Sequence, residues 1–207
     1  MWLYDRYILP HLVQFACGLK PAQLQRRKVV PQASGRVLEI GFGSGLNLPF
    51  YRSESVEKVW ALEPADEMWA LAGETVAESS ISVERIATSA EEIPLADSSV
   101  DTVLVTYALC TVPDVARGLA EIKRVLRAEG SLIFCEHGAA PDEKVLAWQN
   151  RLNPVWKHLA GGCNLNRHIP ELIESAGFEI AELDTMYIPG WRPATFNYWG
   201  RATPLPR

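Results

Sequence analysis

The chain has 207 residues, of which 48% are hydrophobic, and a formal net charge of -5. This length is typical of one domain with a substantial core. The acidic balance argues against a broad nucleic-acid surface, so we expect no nucleic-acid partner. The four cysteines lack Cys-x-x-Cys spacing, which predicts no metal site. The longest apolar run near the start, Ile8 to Ala16, is too short to cross a membrane. With no signal peptide, this favours a cytoplasmic protein with free thiols.

The first 35 residues are predicted to form helices. Residues 2–19 carry apolar side chains at roughly helical spacing, with a break at Pro10. Three interpretations stay open: a helix packed on the core, a lid over a ligand with Tyr4 or Tyr7 facing it, and a helix on a membrane surface. The last is disfavoured because the polar face lacks basic residues. The basic cluster Arg26-Arg27-Lys28 is predicted to be a solvated helix face. We expect one domain, 1–207, with 1–35 as a helical lid or cap within it.

From Arg36 the chain alternates strand and helix patterns, which predicts a parallel sheet with helices on both faces. Asn153-Pro154 should interrupt the fourth of the predicted helices. Two apolar segments near the end are separated by a short loop, which predicts an antiparallel pair. The predicted strands are 36–41, 57–63, 81–87, 100–107, 131–137, 178–188 and 194–203, and the predicted helices are 46–53, 65–79, 113–128, 142–159 and 169–176.

The most informative stretch is a glycine-rich turn after the first predicted strand. Gly41, Gly43 and Gly45 occupy every second position, and a short helical segment follows. Strand, glycine turn and helix together indicate a nucleotide-binding turn. The dinucleotide fingerprint needs its third glycine three positions after the second, where this chain has Leu46. The Gly-x-Gly-x-Gly form resembles motif I of the class I S-adenosylmethionine-dependent methyltransferases. That resemblance implies a seven-stranded Rossmann-like sheet, S-adenosyl-L-methionine as cofactor, and Asn47 among the binding residues.

Two acidic side chains belong to this prediction. Glu63 ends the second predicted strand, where a carboxylate can accept hydrogen bonds from both ribose hydroxyls. The alternative is a carboxylate at the start of the next helix. Pro64 and Met68 follow it and could pack on the adenine. Glu39 lies within an apolar strand, where an unpaired charge is costly. The cofactor's ammonium group, directly or through the glycine turn, would be a suitable partner.

A loop follows the third predicted strand. The resemblance places Ser89, Ala90 and Glu91 at the adenine edge, where family members often carry Asp at the position of Ser89. A plain surface turn is the alternative.

The ends of the fourth and fifth predicted strands should meet the same cleft. Tyr107, Ala108 and Leu109 are predicted to line the methionine moiety of the cofactor. His137, at the end of the fifth strand, is the candidate catalytic base, because imidazole titrates near neutral pH. A structural, hydrogen-bonded histidine is the alternative. Cys110 is expected to be a small buried hydrophobic side chain.

Several stretches together resemble one branch of the superfamily, the methyltransferase-like proteins that include alkyl-thiol S-methyltransferases and their bacterial relatives. The resemblance implies methyl transfer to a small apolar acceptor, with a thiol as one candidate. The chain differs from the eukaryotic members in showing no hydrophobic N-terminal anchor. An NAD-dependent oxidoreductase and a non-catalytic methyltransferase-fold binding protein are the competing interpretations. The stretches are 39–51, 108–112, 136–137, 148–157 and 161–167.

Overall fold

The computed structural model of the chain describes residues 2–206. A seven-stranded sheet runs in the order β3-β2-β1-β4-β5-β7-β6. The first five strands are parallel, and β7 is antiparallel to both β5 and β6. This confirms the predicted seven-stranded Rossmann-like methyltransferase sheet. The strands are β1 Gly35–Ile40, β2 Val56–Leu62, β3 Ser82–Ile86, β4 Val100–Thr106, β5 Leu126–His137, β6 Phe178–Tyr187 and β7 Phe196–Pro204.

Helices cover both faces of the sheet. In the central strand β4, Val103 and Val105 pack into one hydrophobic core, while Leu104 packs into the other. A strand buried on both faces must be apolar at successive positions, as this run is. The helices are α1 Trp2–Tyr7, α2 Leu9–Gly18, α3 Lys20–Val29, α4 Asp66–Leu71, α5 Gly73–Glu78, α6 Val115–Val125, α7 Glu143–Leu159 and α8 Ile169–Ser175.

The segment after the glycine turn is not the predicted helix 46–53. It contains a single 3₁₀ turn, Leu48–Phe50. Tyr51 then becomes extended, with φ -65° and ψ 147°, and its hydroxyl donates to Oε2 of Glu39 at 2.6 Å. A tertiary hydrogen bond therefore overrides the local helical pattern.

Three other helix predictions need correction. The predicted helix 65–79 is two short helices that meet at Ala72. Helix α6 ends at Val125, before the predicted end, because β5 begins at Leu126. The predicted interruption at Asn153-Pro154 is wrong: α7 continues through Pro154. Pro154 is exposed, so the carbonyl that loses its helical partner can turn to water.

The N-terminal helices lie against the loop that follows α7. The Tyr4 hydroxyl donates to the Leu159 carbonyl at 2.6 Å, and Leu9 packs beside Gly161. The chain breaks at Ile8, and Pro10 occupies the first turn of α2, where proline is tolerated. Phe15 is 70% exposed. Across residues 2–206, none of the helices combines the length and apolarity needed to span a bilayer.

Candidate active site

The glycine turn takes a backbone shape that side chains disfavour. Gly41, Gly43 and Gly45 have φ values of 67°, 59° and 77°, in the left-handed region that glycine adopts freely. A Cβ on Gly41 would lie 2.5 Å from the Cβ of Ala108. The turn therefore needs glycine for conformation and for close approach to the loop after β4.

Glu63 joins β2 to this turn. Its Oε2 accepts a hydrogen bond from the Gly43 N–H at 2.8 Å, and its Oε1 accepts one from the Ala65 N–H at 2.9 Å. Burial raises the pKa of Glu63, and the two N–H donors oppose that rise. Each carboxylate oxygen has a second lone pair available to a hydroxyl donor. The predicted ribose partner thus lies directly beside the glycine turn.

A small cavity of about 60 Å³, open to solvent, lies against the glycine turn. Five of the predicted cofactor residues line it: Gly41, Gly43, Asn47, Met68 and Tyr107. This volume is below the roughly 300–1,000 Å³ of typical small-molecule sites, because side chains fill part of the space beside the turn. Helices α2 and α3 form the other wall of this cavity.

Glu39 lies behind the turn and does not line the cavity. Its carboxylate accepts from the Asn47 amide at 2.9 Å and from Tyr51. Burial raises the pKa of Glu39 to about 7, against the lowering effect of these two donors. Asn47 also donates to the Thr106 hydroxyl at 2.9 Å. Glu39 therefore reaches the cavity lining through Asn47, whereas the indirect route considered from the sequence ran through the glycine turn.

Arg26 faces the cavity, although the sequence pattern predicted a solvated position. It is 3% exposed, whereas Arg27 and Lys28 are exposed as predicted. One Nη donates to the Cys17 carbonyl at 2.6 Å, and Nε is buried with no protein partner. The guanidinium lies 5.1 Å from the centre of the Tyr107 ring. The spacing of Arg26 from the buried residues Ala22 and Val29 was the signal available in the sequence, since it places Arg26 on the inner stripe.

The loop after β4 is held in a strained shape. Tyr107 has φ 56°, which is costly for a residue with a side chain and is common at functional sites. The backbone N–H groups of Ala108 and Leu109 donate to Oε1 of Glu136, at 2.6 and 3.0 Å. Burial raises the pKa of Glu136 to about 7. The Arg167 guanidinium donates to the carbonyls of Leu109 and Val112, so it fastens this loop from the other side.

The remaining predicted cofactor residues lie beyond the cavity lining. Pro64 and Ser89 are exposed, and Ala90 is buried beside Gly118. Oε1 of Glu91 accepts from the Asp114 N–H at 3.0 Å. Cofactor contact by these side chains stays a prediction.

His137 belongs to a cluster that the sequence did not reveal. Its Nε2 lies 3.2 Å from Sγ of Cys163, and Cys110 completes a group whose three ligand atoms lie within 4.8 Å of one another. The Cys110 thiol and the His137 imidazole hold the pKa of Cys163 far below its usual range, against burial. Burial alone would lower the pKa of His137, but the Cys163 sulfur raises it. The two groups therefore shift each other's pKa in opposite directions.

This cluster lies next to the cavity. The Cys110 thiol donates to the Tyr107 carbonyl at 3.7 Å, and Tyr107 lines the cavity. Cys110 and His137 follow the carboxyl ends of β4 and β5, the edge at which ligands bind in open α/β sheets. The glycine-turn cavity therefore lies beside the Cys110–His137–Cys163 cluster, which can hold or accept a proton.

Comparison with known proteins places the chain in a family. The methyltransferase domain family matches residues 38–134. Thiol S-methyltransferase TMT1B of Homo sapiens is 34% identical over 82% of this chain and 72% of its own length. The Rattus norvegicus protein of the same name is 35% identical over 78% of this chain and 65% of its own length. The chain thus spans about two thirds of the length of these relatives.

A solved structure supports the fold independently. An S-adenosylmethionine-dependent methyltransferase from Thermotoga maritima superposes with a TM-score of 0.65, at 23% identity, over 98% of each chain. The sheet order, the glycine turn with its carboxylate partner and the sequence relatives all agree. The chain belongs to the S-adenosylmethionine-dependent methyltransferases, in the branch that contains the thiol S-methyltransferases.

Proposed function

We propose that this protein transfers a methyl group from S-adenosylmethionine to a small apolar thiol. The observation that carries the proposal is the Cys110–His137–Cys163 cluster beside the glycine-turn cavity. A free thiol with a pKa near 8.5 is only a few per cent ionised at neutral pH. A site that favours loss of its proton would therefore speed attack on the methyl carbon. The names of the most similar relatives support a thiol acceptor.

Residues in and beside the cavity suit the methyl donor. Glu63 offers oxygen acceptors to the ribose hydroxyls, and Met68 gives an apolar surface near the turn. Arg26 is a buried cation with an unpartnered Nε, so we assign it to the carboxylate of the methionyl end. The hydroxyl of Ser44 lines the same cavity and is buried with no protein partner, which leaves it free to bind a polar group of the donor.

Positioning supplies much of the rate in this kind of reaction. S-adenosylmethionine, when bound, supplies a methyl group on a positively charged sulfur, and the leaving group is neutral. The reaction therefore needs little acid catalysis and depends on near-attack geometry. Two indole rings, Trp156 and Trp191, lie 5.5 Å apart, and Trp156 also contributes to the low pKa of Cys163. We propose that they form an apolar wall for the acceptor.

Helices α1 and α2 serve as the lid of this site in our proposal. Val13, Gln14 and Cys17 of α2 line the cavity, so a bound ligand would contact them directly. The hydrogen bond from Tyr4 to the Leu159 carbonyl would hold the lid shut.

All four cysteines are free, which supports a reducing, cytoplasmic location.

A transfer assay tests the function. Purified protein is incubated with S-adenosylmethionine carrying a tritiated methyl group and with matched panels of alkyl thiols, phenols, amines and lipids. We expect label in the thiol products, with apolar thiols labelled faster than charged ones. Transfer to amines or lipids alone would contradict the thiol assignment. Donor binding with no transfer to any acceptor would favour a non-catalytic binding protein.

A further inference from the structure

Three potential metal ligands converge beside Tyr107, which lines the cavity. The Sγ atoms of Cys110 and Cys163 and the Nε2 of His137 lie within 4.8 Å of one another, with 3.2 Å between Nε2 and the Cys163 sulfur. In a tetrahedral zinc site, bonds of about 2.3 Å to sulfur and 2.0–2.1 Å to nitrogen place the ligand atoms roughly 3.5–3.8 Å apart. Small side-chain rotations would therefore bring all three atoms to bonding distance of one ion.

The backbone already holds the three ligands together. The backbone N–H and the side-chain amide of Asn164 both donate to the Cys110 carbonyl, each at 2.9 Å. These bonds tie the loop carrying Cys163 directly to the loop carrying Cys110. His137 is paired with Asn197 in the sheet, so its position is fixed by β5 and β7. A site built on such rigid supports loses little entropy when an ion binds.

The donor set also indicates which ion fits. Two sulfurs and one imidazole are borderline-soft ligands that suit Zn²⁺. Three protein ligands leave the fourth tetrahedral position open, which is the pattern of reactive zinc sites, whereas structural sites use four. Cys163 is partly exposed, so a small molecule can reach the open position.

We propose that Cys110, His137 and Cys163 bind one Zn²⁺ ion whose fourth position takes the sulfur of the thiol acceptor. The second half of this statement rests on the proposed function. The acceptor displaces a bound water, its S–H proton passes to solvent, and a metal–sulfur bond forms without any redox change. An electron pair of that sulfur then forms the new S–CH₃ bond, while the pair of the broken bond stays on the donor's sulfur. His137 acts as a ligand in this scheme.

Metal binding is measured on the purified, reduced full chain. After chelation and dialysis, we expect titration with Zn²⁺ to reach one equivalent. Co²⁺ should give thiolate-to-cobalt charge-transfer absorption and the visible bands of a tetrahedral ion. Cys110→Ser and Cys163→Ser should each weaken binding at least tenfold, whereas Cys135→Ala, which removes a buried cysteine outside the cluster, should keep the cobalt spectrum. Thermal unfolding confirms that each variant is folded.

The fourth position is tested on the cobalt-loaded protein. Ethanethiol should intensify the charge-transfer absorption, and ethanol, its matched control, should leave it unchanged. Less than one tenth of an equivalent of metal, or a wild-type cobalt spectrum in both serine variants, would overturn the site. Undiminished thiol methylation by demonstrably zinc-free protein would overturn the inference and leave the proposed function intact. A metal-loaded protein that methylates no thiol would contradict the proposed function and the acceptor's place at the fourth position, and would leave the metal site itself intact.

Discussion

The carboxylate of Glu63 accepts a hydrogen bond from the backbone N–H of Gly43, at 2.8 Å, across the gap between β2 and the turn after β1. This bond sets the spacing between the glycine turn and the acceptor for the ribose. Glu63→Ala should weaken S-adenosylmethionine binding by about 10- to 100-fold, since hydrogen bonds to a charged group contribute roughly 1.5–3 kcal/mol. Isothermal calorimetry measures the change.

Glu84→Ala is the matched control for Glu63→Ala. Glu84 lies on the neighbouring strand β3 and forms an exposed ion pair with Lys58. Exposed pairs contribute little, so donor affinity should stay within twofold of wild type. Equal losses in the two variants would show that the Glu63 effect is not specific to the cavity.

The turn should tolerate no side chain at its first glycine. Gly41→Ala combines a positive φ of 67° with a Cβ contact of 2.5 Å to Ala108. We expect a loss of about 1–3 kcal/mol in the free energy of unfolding and at least tenfold weaker donor binding. Gly73→Ala has open space around its Cβ and should leave both quantities nearly unchanged. Urea unfolding and calorimetry on the pair provide the comparison, and similar behaviour of the two variants would refute the argument.

Arg26 should recognise the amino-acid end of the donor. Arg26→Gln is expected to weaken S-adenosylmethionine binding by roughly tenfold or more, because a charge-assisted bond to a carboxylate is lost. Binding of methylthioadenosine, which lacks that carboxylate, should change less than threefold. Arg27→Gln alters the exposed neighbour and should affect neither ligand. A parallel loss for both ligands in Arg26→Gln would indicate a purely structural role.

Glu39 should make the ligand-free protein less stable as the pH rises. Its pKa is about 7 in the folded state, against an ordinary value of 4.5, so the folded state holds this proton more tightly than the unfolded state. The stability that this tighter proton binding gives the folded state is therefore full below pH 4.5 and is lost as the pH rises to about 7. Over that range the free energy of unfolding falls by roughly 1.4 kcal/mol per pH unit.

The variant Glu39→Gln isolates this effect from other groups. Glutamine keeps an oxygen for the Tyr51 hydroxyl and does not ionise. Between pH 5 and pH 8 the wild type should lose about 2.5 kcal/mol more unfolding free energy than the variant. Unfolding by urea at several pH values gives both curves, and parallel curves would contradict the assignment.

The sequence predicted the parts of the fold that local patterns control. The apolar run of β4 and the stripe Leu119, Ile122, Val125 of α6 each specify an element, because burial and periodicity agree. The helix predicted at 46–53 did not form, since the bond from Tyr51 to Glu39 fixes that segment from outside. Helix α7 continues through Pro154 because this proline is exposed, and the sequence pattern does not reveal that exposure.

The contacts within the site are likewise of two kinds, those that a local motif predicts and those that depend on packing. Gly41, Gly43 and Glu63 form a motif with a fixed spacing, so their meeting was predictable. Arg26 meets Tyr107 only through the path of the N-terminal helices across the sheet. Cys163 reaches His137 from a loop after α7. Contacts between such distant positions depend on how elements pack, and composition and periodicity do not specify them.

Calorimetric titration of the wild-type chain with S-adenosylmethionine and, separately, with NAD tests the central claim most directly. The claim is that the turn Gly41–Gly45 and Glu63 together bind an adenosyl sulfonium compound. We predict one molecule of S-adenosylmethionine per chain and no detectable heat with NAD. Binding of NAD without binding of S-adenosylmethionine would contradict the account.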